Sequence, residues 1–339
     1  MAEKKNKDQA DSMFAYDDAY RTMEGECDDI VIPFVNYVFN EHYDNTAKIR
    51  RLRNEHYVEK DGSDEEKRVT DSHFEITQDG ITKKFHVECE SRRYDGSILI
   101  RLFEYDTQIA LDNGEWNRKT LRLRFPYSGL LLLRSSRNTP DQAEIVVETP
   151  GGTVEYPINI LKVSDFTIDE IFEKRLYMLI PFYIFNFEKE LKQIAGDEKK
   201  MDALAKLYDE IVERLNADHE KGFLSALSYG VIINMTKRVL KKLTKKHSEV
   251  QKKVGDAMGG RVLDLPEIRA YHQGLAEREE EVKKLEDDNQ KLSAKNKELE
   301  ADKEGLSAKN KELEEDKIEL NKKVEQLYKE IERLKKSNK

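Results

Sequence analysis

The sequence predicts an α/β protein with a mixed-sheet core, a helical extension and a C-terminal parallel coiled coil. Three observations lead to this fold class. Short apolar segments alternate with glycine- and proline-containing turns in the first half of the chain, which is typical of strands. Apolar residues then recur at helical spacing. Finally, leucine occupies every seventh position from Leu285 to Leu334.

The composition indicates that regions of the chain differ in their content of charged residues. Of its 339 residues, 37% are charged and 38% are hydrophobic, which is unusually charged for one compact domain. Much of this charge lies after residue 275. We therefore expect a disordered tail (1–12), a core (13–165), a helical extension (166–262), and a helix with a leucine zipper (263–339).

Cysteine usage and hydropathy predict a cytoplasmic protein that does not contact a membrane. Cys27 and Cys89 have no paired spacing, so neither a disulfide framework nor a zinc site is expected. The polar start of the chain lacks the apolar core of a signal peptide. The most apolar stretch, residues 176–185, is far shorter than the roughly 20 residues that span a bilayer.

The net charge of −9 does not favour a nucleic-acid-binding protein, although an acidic total can contain a local basic surface. The run from Lys48 to Arg53 is the densest candidate for such a surface. A solvated basic turn is an equally good interpretation of that run. The sequence contains neither a GxSxG nucleophile motif nor a glycine-rich GK[ST] loop, which argues against serine hydrolases and phosphate-loop enzymes.

Within the core, helices are predicted at two places. A helix in two pieces runs from Phe14 to about Asn40, with a break near Gly25 and with Pro33 opening the second piece. Another helix is predicted from Ser97 to about Ala110, because apolar residues recur there at helical spacing. The residues that set this spacing are Ile98, Leu102, Tyr105 and Ile109.

Apolar runs bounded by turn residues predict the strands of the core. Asp79-Gly80 marks one hairpin turn, and Pro150-Gly151-Gly152 marks a second. The predicted strands are residues 73–77, 84–88, 121–124, 130–133, 144–149 and 154–160. The order helix, three strands, helix, strands is that of a mixed α/β sheet domain, which we expect to end near Val163.

After the core, the chain is predicted to be helical. The segment Thr167-Ile-Asp-Glu170 has the pattern of a capping box and predicts a helix with a strongly apolar start. Charged amphipathic helices are predicted at about 197–217 and 222–254. Gly259-Gly260 ends this region, and Pro266 begins the next helix.

The heptad leucines predict a coiled coil over residues 282–339. With leucine at the d positions, many a positions carry asparagine or lysine, which favours two parallel strands. Charged neighbours agree, because Lys295 would face Glu300 of a parallel partner and Lys309 would face Glu314. We therefore expect a homodimer. Pairing with another protein, a charged single helix and a disordered tail are the alternatives.

Three acidic residues are the candidates for chemistry. Asp71 belongs to one strand of the first hairpin, and Glu88 and Glu90 belong to the next. Residues two apart on a strand point to the same face, so Glu88 and Glu90 present their carboxylates together while Cys89 faces away. Three converging carboxylates suit a hard divalent cation such as Mg²⁺. A solvated acidic face is the alternative interpretation.

Several segments resemble the PD-(D/E)XK nuclease superfamily, and within it the group of recombination-promoting nucleases and transposases. The resemblance covers roughly residues 14–275 and rests on several motifs that occur in order. The matching segments are residues 16–21 (YDDAYR), 32–39 (IPFVNYVF), 70–72 (TDS), 87–91 (VECES), 100–106 (IRLFEYD) and 171–182 (IFEKRLYMLIPF).

The resemblance implies a four-stranded α/β core with a Mg²⁺-dependent DNA endonuclease site, in which Mn²⁺ is an alternative ion. By position, Asp71 would be the first metal ligand and Glu88 the second. Asp17 would match the acid that the group often places on its first helix. Arg101 and Tyr105 match its helix motif, where Arg101 would contact phosphate or hold a carboxylate. The structural alternatives are that Arg101 pairs with buried acids and that Tyr105 is a core residue.

Glu90 departs from the pattern, because the superfamily usually has lysine there and this group commonly has glutamine. Glutamate cannot supply the positive charge that lysine brings to the reaction. Glu90 is therefore expected either to bind a second metal ion or to weaken the site. The alternative function is a catalytically weak or inactive nuclease fold that serves as a binding or scaffold protein assembled through its coiled coil.

Overall fold

A computed structural model divides the chain into two units, residues 1–268 and 269–339. The described residues are 16–52, 55–59, 65–69, 72–259 and scattered positions between 284 and 329. Asp71 lies outside the described residues. The predicted tail, the helix expected to begin at Pro266 and much of the heptad segment also lie outside them.

Six of the strands in the described part of the chain form one mixed sheet. The strands are β1 (Lys48–Arg51), β2 (Glu55–Glu59), β3 (Glu65–Val69), β4 (Ser72–Gln78), β5 (Ile81–Arg93), β6 (Glu115–Trp116), β7 (Leu121–Arg122), β8 (Tyr127–Arg134), β9 (Gln142–Thr149) and β10 (Gly152–Lys162). The sheet has the order β1-β4-β5-β8-β10-β9, and β2 with β3 and β6 with β7 form separate two-stranded sheets.

The sheet combines antiparallel and parallel pairs. Strand β4 runs antiparallel to β1 and β5, whereas β8 runs parallel to β5 and β10. A parallel neighbour requires a crossover connection, and helix α3 (Ile98–Asp112) lies in the one between β5 and β8. Strand β9 pairs antiparallel with β10 at one edge. The predicted mixed α/β sheet is therefore confirmed.

Both predicted hairpins are confirmed. Asp79 and Gly80 join β4 to β5 with φ angles of 53° and 76°. Two consecutive left-handed residues are what a two-residue hairpin of type I′ requires, and aspartate and glycine tolerate that region. The second hairpin turns at Pro150 and Gly151, between the paired residues Thr149 and Gly152. Gly152 has a φ of 139°, which strains any residue with a side chain.

Helix α3 forms where its apolar spacing predicted it, and its buried side packs against the sheet. The packing buries a cluster of aliphatic side chains: Ile98, Leu102, Leu130, Leu132, Ile145, Ile158 and Ile160. Burial of one such side chain stabilises the fold by roughly 1.5–3 kcal/mol. This cluster fixes α3 against strands β8, β9 and β10.

The two helical pieces at the start of the core are α1 (residues 16–26) and α2 (Asp28–Phe39). The chain breaks at Cys27, close to the predicted break. The prediction that Pro33 opens the second piece is wrong, because Pro33 lies inside α2. Asp28 and Asp29 occupy the first turn of α2, where acidic side chains interact favourably with the helix dipole.

Thr167 forms the predicted capping box with Glu170. The Glu170 carboxylate accepts the Thr167 N–H at 2.8 Å, and the Thr167 hydroxyl accepts the Glu170 N–H at 3.3 Å. The α-helix that follows, α4 (Ile168–Glu173), is short. The apolar stretch then continues as a 3₁₀ helix over Tyr177–Glu190, whose first six side chains are buried.

The rest of this unit is helical, as predicted, with one correction. Helix α5 (Leu191–Ala195) precedes α6 (Glu198–Glu220), which agrees with the predicted charged helix. A single helix over 222–254 is wrong. The segment forms α7 (Ala226–Leu243) and α8 (Ser248–Gly259), because the His247 N–H bonds to the Thr244 carbonyl and closes a turn after α7.

Strand β1 corrects the interpretation of the basic run as a solvated turn. Lys48–Arg51 pairs with β4 at an edge of the sheet. Arg50 Nε donates to Glu75 Oε1 on β4 at 2.6 Å. Arg51 donates to the Glu24 carbonyl oxygen and forms an ion pair with Asp28. Part of the positive charge of this run is therefore neutralised within the chain.

The described positions of the second unit are helical. Its leucines at the predicted d positions are exposed, and the exposed fraction of each lies between 57% and 64%. The residues concerned are Leu292, Leu299, Leu306, Leu313, Leu320 and Leu327. Among the described helices of either unit, none is long and apolar enough to cross a membrane.

Candidate functional site

Strand β5 carries two of the predicted acids on its most buried part. Every residue from Phe85 to Ser91 is buried. The exposed fraction of Glu88 is only 2%, and that of Glu90 is 7%. Cys89, between them, is also buried, and strand alternation places it on the opposite face. Two carboxylates buried on one face need cations or hydrogen-bond donors beside them.

Arg101, in the first turn of α3, bridges the two glutamates. Its Nη2 atom donates to Glu88 Oε2 at 3.1 Å and to Glu90 Oε2 at 3.3 Å. The guanidinium is about one-third exposed, whereas the carboxylates are buried. The packing of α3 against the sheet therefore brings a cation to the point where Glu88 and Glu90 converge.

His86 lies on the other side of Glu88 and is fully buried. Its Nε2 atom is 3.1 Å from Glu88 Oε1, and its Nδ1 atom is 2.7 Å from Asp106 Oδ1 on α3. Burial alone lowers the pKa of His86, but hydrogen bonds to Asp106 and Glu88 outweigh this effect and raise the pKa to about 9. At neutral pH the imidazolium donates to a carboxylate on each side.

Ser128 extends this network onto strand β8. Its hydroxyl lies 2.8 Å from each carboxylate oxygen of Asp106. A chain of polar contacts thus runs from Ser128 through Asp106, His86 and Glu88 to Arg101. Satisfied buried networks of this kind hold their members in one arrangement. We call these five residues, together with Glu90, the polar network.

A β-bulge adjoins Glu90. The pairing of β5 with β8 shifts register between Glu90 and Arg93. Next to this shift, the Arg92 N–H donates to Glu90 Oε1 at 2.7 Å. A bulge bends its strand and redirects side chains, and bulges are frequent beside functional sites. Glu90 is therefore fixed at both oxygens, one by the backbone and one by Arg101.

Asp17, on α1, interacts electrostatically with the polar network. Burial raises the pKa of the Asp17 carboxyl to about 6, and Arg21 partly opposes this rise. Glu90 and Glu88 add to the rise, whereas Arg101 lowers the pKa. Asp17 therefore lies in the field of both glutamates, although it is far from them in sequence.

Tyr105 has the position of a core residue. Its ring lies edge-on to the His86 imidazole, with 6.0 Å between the centroids. Close by, helix α1 meets the start of β4, because Tyr20 Oη and Ser72 Oγ are 3.3 Å apart. Ser72 follows Asp71 in the sequence and pairs with Val87, the residue that precedes Glu88.

The donor set suits a hard cation, since carboxylate oxygens are the ligands that Mg²⁺ prefers. Arg101, however, competes for oxygens of both Glu88 and Glu90. Within the residues that the structure describes, no group of three or more His, Cys, Asp or Glu side chains is arranged to hold a metal ion. A complete site would therefore require Asp71 or a movement of Arg101.

Three members of the polar network were missed from the sequence: His86, Asp106 and Ser128. A signal existed for two of them. His86 precedes Glu88 by two residues and so shares its strand face. Asp106 lies four residues after Leu102 and three before Ile109, which places an acid on the apolar side of a helix. Ser128 carries no comparable signal.

The chain was compared with protein families, curated proteins and solved structures. No protein-family model matches the chain, and neither the curated proteins nor the solved structures contain a match.

Proposed function

We propose that the protein is a metal-dependent DNA endonuclease of the PD-(D/E)XK type. The observation that carries the proposal is the convergence of Glu88 and Glu90 on one cationic group. Their Oε2 atoms lie 3.1 and 3.3 Å from the same Arg101 nitrogen. Asp17 adds a third carboxyl to the same field. Residues that concentrate acids and shifted pKa values are candidates for catalysis.

The strand order supports the fold part of the proposal. Helices α1 and α2 precede the antiparallel strands β1, β4 and β5, and α3 then leads to β8, parallel to β5. This order supports the proposal, because the resemblance implies a four-stranded α/β core. The acids lie on β5, at the centre of these strands.

The proposed ligands of the divalent ion are Asp71, Glu88 and Glu90. The paired neighbours Ser72 and Val87 support the inclusion of Asp71, because they adjoin Asp71 and Glu88 in the sequence. When bound, Mg²⁺ or Mn²⁺ would lower the pKa of a water molecule and offset charge on the attacked phosphate. His86, which contacts Glu88 Oε1, would orient the Glu88 carboxylate in this site.

Arg101 is the candidate for the positive charge that Glu90 does not supply. Glutamate at position 90 cannot supply the cation that lysine supplies in the superfamily. The Arg101 side chain is adjacent to Glu90 and about one-third exposed, so its guanidinium would be available to a phosphate if a divalent ion were bound by the two carboxylates. We therefore assign the phosphate-binding role to Arg101.

A catalytically inactive binding or scaffold protein is the second candidate. The observation that favours it is that both carboxylate oxygens of Glu88 already accept hydrogen bonds, one from His86 and one from Arg101. In this case the polar network stabilises the fold and binds no metal ion. The net charge of −9 also agrees with a protein scaffold.

We further propose that the chain forms a parallel homodimer through residues 282–339. The exposed leucines of the second unit support it, because a stripe of apolar residues spaced by seven is stabilised by pairing with a like helix. Two nuclease units in one dimer would place two sites on one DNA molecule.

Plasmid cleavage in the presence of Mg²⁺ or Mn²⁺ tests the proposal. The nuclease proposal predicts nicking that Asp71→Asn and Glu88→Gln each abolish. If no cleavage occurs with either ion, a gel shift in EDTA divides the second candidate: salt-dependent retardation indicates a DNA-binding module, and no retardation indicates a pure protein scaffold.

A further inference from the structure

A cavity of about 720 Å³ lies between helix α3, the start of strand β8 and the β9–β10 hairpin. Its size is within the range of small-molecule sites, about 300–1,000 Å³. Five aromatic residues contribute to its walls: Phe39, Phe103, Phe125, Tyr127 and Tyr156. We call it the aromatic pocket. It contains neither the predicted acids nor Arg101.

The rings of the aromatic pocket are arranged as stacking surfaces. Phe103 and Phe125 are nearly parallel, with 18° between their planes and 6.3 Å between centroids. Tyr156 adjoins Phe125 at 5.8 Å. Phe125 and Tyr127 remain 39% and 51% exposed, although aromatic residues bury large apolar areas when they are able to. Part of each of these two side chains is therefore accessible to a ligand.

The pocket is uncharged. Among the described residues that line it, none carries a formal charge, in a chain of which 37% of residues are charged. Lys83 Nζ lies 5.4 Å from the centroid of the Tyr127 ring, but it is already paired with Glu41. A phosphate or carboxylate buried in the pocket would therefore lose its hydration without gaining a cation that is not already paired. The ligand that fits is therefore neutral at the part that enters the pocket.

One amide edge supplies polar recognition. Gln142 Nε2 donates to Asn159 Oδ1 at 3.0 Å, and Asn159 Nδ2 donates to the Val38 carbonyl at 2.8 Å. These bonds fix the Asn159 amide. The exposed Gln142 amide still has a second N–H and its carbonyl oxygen to offer to a ligand. Neighbouring donor and acceptor groups on a nucleobase edge match such an amide.

We propose that the aromatic pocket binds a neutral nucleobase by stacking and by one amide edge. The base could belong to a free nucleoside or to unpaired DNA, since both present the same ring. The proposal does not depend on the proposed metal site. Binding is therefore measured in EDTA, so that base binding and cleavage succeed or fail separately.

The probe is the fluorescent base 2-aminopurine, used free in one arm and within a single-stranded oligodeoxynucleotide in the other. We expect saturable quenching with the full-length protein in at least one arm, since stacking on a ring quenches the probe. The arm that binds identifies the source of the base. No saturable quenching in either arm would overturn the proposal.

Variants locate the binding. Phe125→Ala and Val154→Asp should each weaken binding about tenfold, because the first removes a stacking surface and the second places a charge in the lining. Val146→Asp is the matched control, since Val146 is also exposed on the β9–β10 hairpin but does not line the pocket. Val154 is 60% exposed, so its replacement tests the pocket without disturbing the core.

Competition between the probe and ligands with or without a phosphate tests whether the pocket lacks a cationic group. Adenosine and adenosine monophosphate should displace the probe equally, within about twofold, if the pocket reads only the base. Equal weakening by Val154→Asp and Val146→Asp would contradict binding in the pocket. Much tighter competition by the phosphate-bearing compound would also contradict it, because recognition would then rest on a cationic site elsewhere.

Discussion

The Nη2 atom of Arg101 lies 3.1 Å from Oε2 of Glu88 and so takes the place that a bound cation would need. In the proposed nuclease, Arg101 and the divalent ion are alternative partners of the same carboxylate. A purely structural polar network requires Arg101 and no ion. This competition distinguishes the two candidate functions.

Arg101→Ala should therefore make stability depend on divalent ions. In EDTA we expect a loss of about 1–3 kcal/mol, because two buried carboxylates lose their shared guanidinium. Addition of Mg²⁺ should restore more stability to the variant than it adds to the wild type. Urea unfolding with and without Mg²⁺ measures both effects.

Arg124→Ala is the matched control for this experiment. Arg124 also forms an ion pair with a glutamate, Glu115, but both side chains are exposed. The control should behave like the wild type with and without Mg²⁺. An equal response of Arg101→Ala and Arg124→Ala to Mg²⁺ would contradict the competition between Arg101 and a metal ion.

His86 should make the fold less stable at alkaline pH. Its pKa in the folded state is about 9, above the usual value of about 6.5, because Asp106 and Glu88 accept from the imidazolium. The stability that His86 contributes is complete below about pH 6.5 and is lost as the pH rises through about 9. Unfolding in EDTA from pH 6 to pH 9.5 should show this loss.

His86→Gln should flatten that pH dependence, since glutamine has no proton to lose over this range. His219→Gln is the control, because His219 contacts the Leu224 carbonyl instead of a carboxylate. The control should keep the slope of the wild type. If His86→Gln and the wild type lose stability in parallel, the imidazolium between two carboxylates is not the cause.

Asp17 should also make the fold less stable as the pH rises, but in the acidic range. Burial and the neighbouring glutamates raise the pKa of its carboxyl to about 6, so its contribution is complete below about pH 4 and lost as the pH rises through about 6. Asp17→Asn should therefore be more stable than the wild type at pH 7, by about 1 kcal/mol given its partial exposure.

The difference between Asp17→Asn and the wild type should shrink as the pH falls from 7 to 4. The test uses the difference between the stabilities of the two proteins, because burial also raises the pKa of Glu24, to about 7. Glu24 is present in both proteins, so its contribution cancels in the difference. Asp18→Asn, in the same helix, removes only an exposed ion pair with Arg238 and should change stability by less than about 1 kcal/mol at any pH in this range. A constant difference between Asp17→Asn and the wild type across this range would contradict the raised pKa.

The heptad leucines should hold two chains together. Leu306→Ser with Leu313→Ser in the full-length chain should convert a dimer into a monomer, because both substitutions remove seam residues from the predicted coiled coil. Ile318→Ser is the control, since Ile318 is similarly exposed, at 56%, but lies off the seam. Light scattering measures the mass, and a monomeric wild type would refute the dimer.

Local signals predicted most of the fold correctly. Asp79-Gly80 specified a hairpin because few residue pairs adopt two consecutive positive φ angles. Thr167 and Glu170 specified a helix start through reciprocal hydrogen bonds three residues apart. Such signals depend only on near neighbours, so the sequence displays them directly.

Non-local partners account for what the sequence did not reveal. Arg50 and Arg51 were interpreted as a basic surface or a solvated turn, because their acidic partners lie 25 and 23 residues away in the chain. The polar network was hidden for the same reason, since His86 meets Asp106 only after α3 packs against the sheet. Pairing of these charges cannot be recognised until both partners are known.

Plasmid cleavage by the full-length protein tests the central claim most directly. Supercoiled DNA is incubated with Mg²⁺, Mn²⁺ or EDTA and with the wild type, Glu88→Gln or the exposed control Glu155→Gln. We predict metal-dependent nicking by the wild type and the control, and a loss of at least about a hundredfold in Glu88→Gln. Nicking by Glu88→Gln at the wild-type rate, or no nicking by the wild type with either ion, would contradict the nuclease proposal.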